Sequence, residues 1–103
     1  MPEASEPLPR QTPAPLSEEE KSFISDTVRR FYGDNAVVRN FGPDPDRIDL
    51  HVEADIGRDM ALYDCLGVLL TRIDRAAVSL EITKRGSKVY GPAKIAYRQG
   101  VIL

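Results

Sequence analysis

Four polar side chains that could do acid–base or metal chemistry occupy every second position of one segment: Asp49, His51, Glu53 and Asp55. The positions between them are apolar, so the segment is predicted to be a strand with these four side chains on one face. Residues two apart on a strand lie roughly 6.5–7 Å from each other. That spacing lets an imidazole and a carboxylate act as an acid–base pair or bind one divalent ion.

As a metal or catalytic site the cluster is incomplete. His51 is the only histidine in the chain, and metal sites usually take ligands from several elements. Asp49, His51 and Glu53 are the metal candidates, but we favour the solvated polar face of a half-buried strand, with Arg39 or Arg47 paired to its acids. This interpretation predicts no cofactor, no metal, no catalytic residue, and a pKa of His51 at or above its ordinary value of about 6.5.

A second set of residues combines cations with an aromatic ring, as proteins that bind nucleic acids do. The candidates, placed on a predicted hairpin over residues 84–98, are Lys84, Arg85, Lys88, Tyr90, Lys94 and Arg98. The charge of the whole chain argues against this role, because the net charge is −2 and the pI is about 5.4. Lysines on an edge strand also prevent strands from aggregating, so the set has a structural explanation as well.

The single cysteine, Cys65, excludes an intrachain disulfide and favours a reducing cytoplasm. It lies on a predicted apolar helix, where a cysteine behaves as a small hydrophobic residue. A nucleophilic role requires a nearby base, and His51 is predicted to lie on the other face of the sheet. The sequence contains no phosphate-binding loop, nucleophile elbow or dinucleotide-binding glycine motif.

The size and composition indicate one small domain. The chain has 103 residues, and no apolar run approaches the roughly 18–20 residues that span a bilayer. The N-terminus lacks the basic-then-apolar pattern of a signal peptide, which also favours the cytoplasm. Frequent arginine and aspartate, few lysines and no tryptophan suggest a bacterial origin.

The first segment is rich in proline, with five among residues 1–15, and we predict a disordered tail over residues 1–16. A helix over about 18–32 follows, because Ser17 and Glu20 form a capping box and apolar residues recur at helical spacing. Gly33 is a suitable residue to end it.

The rest of the domain alternates between strand and helix patterns. A hairpin of two strands is predicted around the turn at 42–46, with the second strand over 48–56. A helix follows from about 60 to 73, and its many apolar residues predict a central position in the fold. Gly67 within this helix predicts close packing against a neighbour. A third strand is predicted over 77–84, and a last one, interrupted by Gly91 and Pro92, over the following residues.

These elements predict an α+β domain over residues 17–103. It has one antiparallel sheet of about four strands, with two helices on one face, in the order α-β-β-α-β-β. Two roles remain open for the last residues, Val101, Ile102 and Leu103: they could form another short strand pairing, or they could cap the core.

No motif specifies a function, so the expected role is that of a small, non-enzymatic cytoplasmic interaction module. Its partner is an unknown macromolecule or a second copy, and we expect a monomer or a homodimer and no membrane contact. One alternative is a nucleic-acid-binding domain that uses residues 84–98. The other is a small enzyme or metal protein centred on His51.

Overall fold

The computed structural model describes residues 12–103, which form a four-stranded sheet and three helices. The elements are α1 (Glu18–Tyr32), β1 (Val37–Asn40), β2 (Arg47–Ala54), α2 (Ala61–Leu70), β3 (Ala77–Lys84), α3 (Pro92–Gln99) and β4 (Val101–Ile102). No helix among these residues has the length and apolarity needed to cross a membrane.

Helix α1 has the predicted boundaries and the predicted cap. The Glu20 backbone N–H donates to Ser17 Oγ at 3.1 Å, and the Ser17 N–H donates to the Glu20 carboxylate at 3.0 Å. The same carboxylate accepts hydrogen bonds from the Arg75 guanidinium, with a shortest distance of 2.8 Å. This ion pair fixes the start of α1 to the segment that leads into β3.

The sheet is mixed, so the prediction of an antiparallel sheet is wrong. Its strand order is β3-β2-β1-β4, and β1 pairs with both β2 and β4 in antiparallel orientation. Strands β2 and β3 are parallel, in an unbroken register from Arg47 opposite Ala77 to Ala54 opposite Lys84. The reason is the connection: α2 carries the chain back across the sheet, so β3 starts at the same end as β2.

The predicted last strand is a helix, which makes the number and order of elements different from the prediction. Gly91 has a φ of +52° and turns the chain, and Pro92 occupies the first position of α3, where its missing N–H is not needed. Ala93 and Ala96, three residues apart, are the buried side chains of α3. The final residues then pair as β4 with β1, which was one of the two alternatives for them.

The helices lie on both faces of the sheet, contrary to the prediction of one face. Helices α1 and α2 cover the face formed by Ile48, Leu50 and Val52, and this layer is the hydrophobic core. Helix α3 covers the other face, where the Tyr97 ring contacts the ring of His51. The face that the sequence predicts to be solvated is therefore partly enclosed.

Packing begins before α1. Ala14 and Leu16 are buried, the Ala14 N–H donates to Gly42 O at 2.8 Å, and the buried Asn40 amide donates to Ala14 O at 2.9 Å. The predicted tail over residues 1–16 falls mostly on residues 1–11, which lie outside the described residues.

Candidate functional site

His51 lies at the middle of the sheet and is completely buried. Its register partners are Arg39 on β1 and Glu81 on β3. The ring of Tyr97 on α3 packs edge-on against the imidazole, with 5.0 Å between ring centroids, and the Arg39 guanidinium lies 4.5 Å from the centroid of Tyr97. The prediction of a solvated histidine is wrong, because α3 takes the place of the predicted edge strand.

The polar atoms around His51 are largely bonded to one another. His51 Nε2 lies 2.8 Å from Thr83 Oγ1 on β3, and Glu53 accepts a hydrogen bond from Arg39 at 3.3 Å. Asp49 accepts from Arg47 at 2.9 Å and from the Ser79 hydroxyl at 2.6 Å. The expected cross-strand pairing is observed for Arg39 with Glu53, whereas Arg47 pairs with Asp49 on its own strand.

The protonation of His51 is opposed by its surroundings. Burial lowers the pKa of His51 below its ordinary value of 6.5, the Arg39 charge lowers the pKa further, and Glu53 raises it. The prediction of a pKa at or above the ordinary value is wrong, because it assumed a solvated ring surrounded by acids. Nδ1 of the imidazole is buried and has no hydrogen-bond partner among the described residues.

The three metal candidates do not form a ligand set. Asp49 and Glu53 are held by arginines, and His51 turns Nε2 to Thr83. Across residues 12–103, no group of three or more histidine, cysteine, aspartate or glutamate side chains is placed to hold a metal ion. Asp55, the fourth member of the alternating cluster, pairs with Arg85 at the end of β2.

The basic candidates are dispersed over β3, a loop and α3 rather than along a hairpin. Arg85 is engaged by Asp55 and by the Asn35 carbonyl oxygen, so it has a structural partner. The other five are exposed or at the surface: Lys84, Lys88, Tyr90, Lys94 and Arg98. Lys94 and Arg98 lie one turn apart on the exposed side of α3.

Cys65 lies in α2 on the core side of the sheet and is completely buried. Burial raises the pKa of its thiol to about 11, so the reactive thiolate form is scarce at neutral pH. His51 lies on the opposite face of the sheet, so the two residues form no nucleophile–base pair.

An open groove of about 800 Å³ lies between the first turns of α1 and Arg72 and Ile73, which follow α2. Its lining includes Glu18, Glu19 and Asp26, with Phe23 at its side. The Arg72 guanidinium lies over the Phe23 ring, 5.2 Å from its centroid. The glutamates of the groove belong to the first turn of α1, where negative charge is stabilised by the helix dipole, so the acidic lining has a structural explanation.

Helix α2 exposes a line of apolar residues, a feature that the sequence prediction missed. Met60, the residue just before α2, is 76% exposed, and Tyr63 and Leu70 within α2 are 57% and 52% exposed. Gly67 continues the line between Tyr63 and Leu70. The spacing of three, four and three residues places all four on one stripe of a helix. The predicted central position of α2 is wrong, because much of its apolar surface faces outward.

Gly67 has no packing partner among residues 12–103 that would explain a glycine there. A Cβ atom at this position would meet nothing within 4 Å, so the predicted close packing against a neighbour is absent from the described residues. A glycine inside a helix costs roughly 0.5–1 kcal/mol relative to alanine. The cost is therefore not offset by any contact that residues 12–103 make with this position.

The stripe had a signal in the sequence. The 60–63–67–70 spacing is regular, but the neighbouring Leu62, Cys65 and Leu69 follow a similar period and made the whole helix look buried. Periodicity alone does not distinguish an apolar stripe that faces the core from one that faces outward.

No family model matches the sequence, and a search of curated proteins finds no match.

Proposed function

We propose that this chain is a small, non-enzymatic protein-interaction module that binds an apolar helix of a polypeptide partner along α2. The carrying observation is the exposed stripe of Met60, Tyr63 and Leu70 with Gly67 inside it. A cytoplasmic site of action accompanies the proposal, since the only cysteine is unpaired.

The chemistry of the stripe supports a helix as the partner. Exposed apolar side chains in one continuous patch are typical of interaction surfaces. Two helices approach each other most closely where one carries a glycine, because no side chain separates the backbones. Tyr63 and Leu70, one turn on either side of Gly67, would flank the docked helix, and tyrosine is enriched where interfaces concentrate their binding energy.

Site-specific photo-crosslinking tests this proposal. Tyr63 is replaced by p-benzoylphenylalanine, and the chain is irradiated in cells that express it natively. We expect adducts with one defined protein, which can be a different protein or a second copy of this chain. Mass spectrometry should map the crosslink to an apolar face of a helix in that protein. Adding Gly67→Leu should remove the adduct, because the larger side chain holds the partner helix away.

Ile95 provides the matched control. It is an apolar helical residue of similar exposure, 46%, but it lies on α3 across the sheet. The same photo-reactive side chain at position 95 should give no specific adduct. An adduct at position 95 and none at position 63 contradicts a docking surface on α2.

Nucleic-acid binding is the second candidate, and one observation favours it. Lys94 and Arg98 share the exposed side of α3, and the Tyr90 ring nearby in sequence is exposed. If this surface binds phosphates, Lys88→Glu with Lys94→Glu should abolish binding of single-stranded DNA or RNA without unfolding the domain. Wild-type affinity for a single strand should also fall with salt, with a logarithmic slope of about 0.7 per phosphate contact, or about 0.9 if the probe is duplex DNA.

A further inference from the structure

The outer edge of β3 is long and regular. Strand β3 has eight residues, ends the sheet, and pairs with no further strand within residues 12–103. Its unbroken register with β2 shows that no bulge interrupts it, and it contains no proline. Natural proteins usually protect such an edge with charges, bulges or prolines, and β3 carries only Glu81 and Lys84 as charged residues.

The exposed flank of α2 lies on the same side of the domain as this edge. At its two ends, the α2 segment meets α1 through Asp59 with Tyr32 and through Arg72 with Phe23. Ala61 packs against the core, and Tyr63 is about 200° around the helix from Ala61. Parallel crossovers such as β2–α2–β3 are right-handed in nearly all proteins, so with Leu62, Cys65 and Leu69 facing the core, the side of α2 that carries Tyr63 is turned away from α1 and towards β3.

The flank is continuous with the core layer beneath it. Leu66 is half-buried and lies between the buried Leu62 and the exposed Tyr63 around the helix. Below it, Val78 and Leu80 on β3 pack against the core but remain half-exposed at the sheet edge. An open strand edge and an open helix flank thus form one surface.

We infer that a second copy of this chain covers this surface, so that two β3 strands pair in antiparallel orientation and two α2 helices pack side by side. The inference rests on the proposed function, because it identifies the partner helix as α2 of the other copy. A two-fold axis perpendicular to the sheet produces both contacts at once and makes one eight-stranded sheet.

The spacing of the two helices fits this arrangement. Strands in a sheet are about 4.8 Å apart, and a crossover helix packs above the two strands that it connects. Each α2 then lies about one strand spacing from the two-fold axis, so the two helix axes are about 10 Å apart. Packed helices are typically 8–10 Å apart. Gly67 allows them to approach at the short end of this range.

The charges of β3 favour a particular register. In a continuous antiparallel pair, opposed side chains share a face, so the register is centred on a residue of β3. Centring on Glu81 would oppose two carboxylates, whereas centring on Ser79 pairs residues 77–81 with the same residues of the other copy and places each Glu81 opposite the uncharged Ala77. Leu80 is then opposite Val78, which extends the apolar layer across the interface.

A second copy suits this edge better than the chain's own N-terminal residues. Residues 1–11 contain three prolines, Pro2, Pro7 and Pro9, and proline lacks the N–H that a paired strand donates. The second copy supplies a proline-free strand edge, of which residues 77–81 pair in this register with every backbone donor present.

Sedimentation equilibrium of the full chain tests the inference, at loading concentrations from about 5 µM to about 500 µM. We expect a monomer–dimer equilibrium. Leu70→Glu should raise the dimer Kd by at least about 100-fold, because it buries an unpaired charge in the helix contact. Ile95→Glu makes the same apolar-to-acidic change on the exposed surface of α3 and should leave the Kd unchanged. Circular dichroism should show that both variants are folded.

A disulfide tests the register. Ser79→Cys should form a covalent dimer under mild oxidation, because the two Cα atoms would lie about 4.5–5.5 Å apart, within disulfide range. Ser87→Cys, in the exposed turn after β3, should not, and the buried Cys65 should not interfere. A dimer that survives Leu70→Glu and is not trapped at position 79 overturns the inference.

A strictly monomeric chain at the highest concentration also overturns it. In that case, photo-crosslinks from position 63 to a different protein would leave the proposed function standing. Absence of both the dimer and the crosslinks would remove the two proposals together.

Discussion

The imidazole of His51 and the hydroxyl of Thr83 are 2.8 Å apart and connect β2 to β3 on the face covered by α3. The contact is diagonal, because the register opposes His51 to Glu81 and Thr83 to Glu53. It ties the only histidine of the chain to the edge strand, while Nδ1 has no partner in the described part of the chain. This bond satisfies the neutral ring on one side only, and none of residues 12–103 is placed to accept a hydrogen bond from a proton added at Nδ1.

The free energy of unfolding should fall as the pH falls through about 6.5. The pKa of His51 is lowered in the folded protein, so the unfolded chain binds more protons between the folded pKa and 6.5. Charges facing the ring are Arg39 from β1, Glu53 from β2 and Glu81 from β3, while α3 contributes the Tyr97 ring. Urea unfolding at a series of pH values between 8 and 5 measures the slope, at most about 1.4 kcal/mol per pH unit for one proton.

His51→Gln provides the control for this pH dependence. Glutamine keeps a hydrogen-bonding side chain within reach of Thr83 but has no proton to gain in this range. The variant should show a flatter profile between pH 8 and 5 than the wild type. An equal slope in both proteins would assign the effect to other groups.

Gly67→Ala should stabilise the monomer by roughly 0.5–1 kcal/mol, because alanine favours the helix and its Cβ meets nothing. The same change should weaken dimerisation, because the methyl group lies where the second helix approaches. Thermal unfolding in dilute protein and sedimentation in concentrated protein measure the two effects. Gly86→Ala is the contrasting variant and should destabilise, since Gly86 has a φ of +88°.

Leu69→Ala and Leu66→Ala should differ in their effect on stability. Leu69 is completely buried in the core, so its truncation should cost about 2–5 kcal/mol. Leu66 is half-buried on the flank of α2, so its truncation should cost less in dilute protein and more as the dimer forms. Urea unfolding at two protein concentrations distinguishes the two residues. Equal losses that do not depend on concentration would contradict an interface role for Leu66.

Removing residues 1–16 should destabilise the domain by roughly 2–5 kcal/mol more than removing residues 1–11. The difference lies in the buried Ala14 and Leu16 and in the hydrogen bonds that join Ala14 to Gly42 and Asn40. Removal also exposes the Asn40 amide. Thermal unfolding of the two truncated chains tests this, and equal melting temperatures would show that the 12–16 segment contributes nothing.

The sequence by itself determined the elements whose signals are local. The capping box of Ser17 and Glu20 placed the start of α1, and the period-2 alternation from Ile48 placed β2. The β1–β2 hairpin followed from the turn residues between them. In each case the residues that decide the structure are within a few positions of one another, so no distant contact was needed.

Tertiary structure decided which faces of these elements meet. The apolar pattern of residues 94–98 is compatible with a strand and with a short helix. The segment is a helix because Ala93 and Ala96 then pack together on the sheet. That choice buried His51, reversed the expected shift of its pKa and moved the basic candidates off a hairpin. The outward stripe of α2 was decided in the same way, because apolar periodicity gives the direction of a face only once its neighbours are in place.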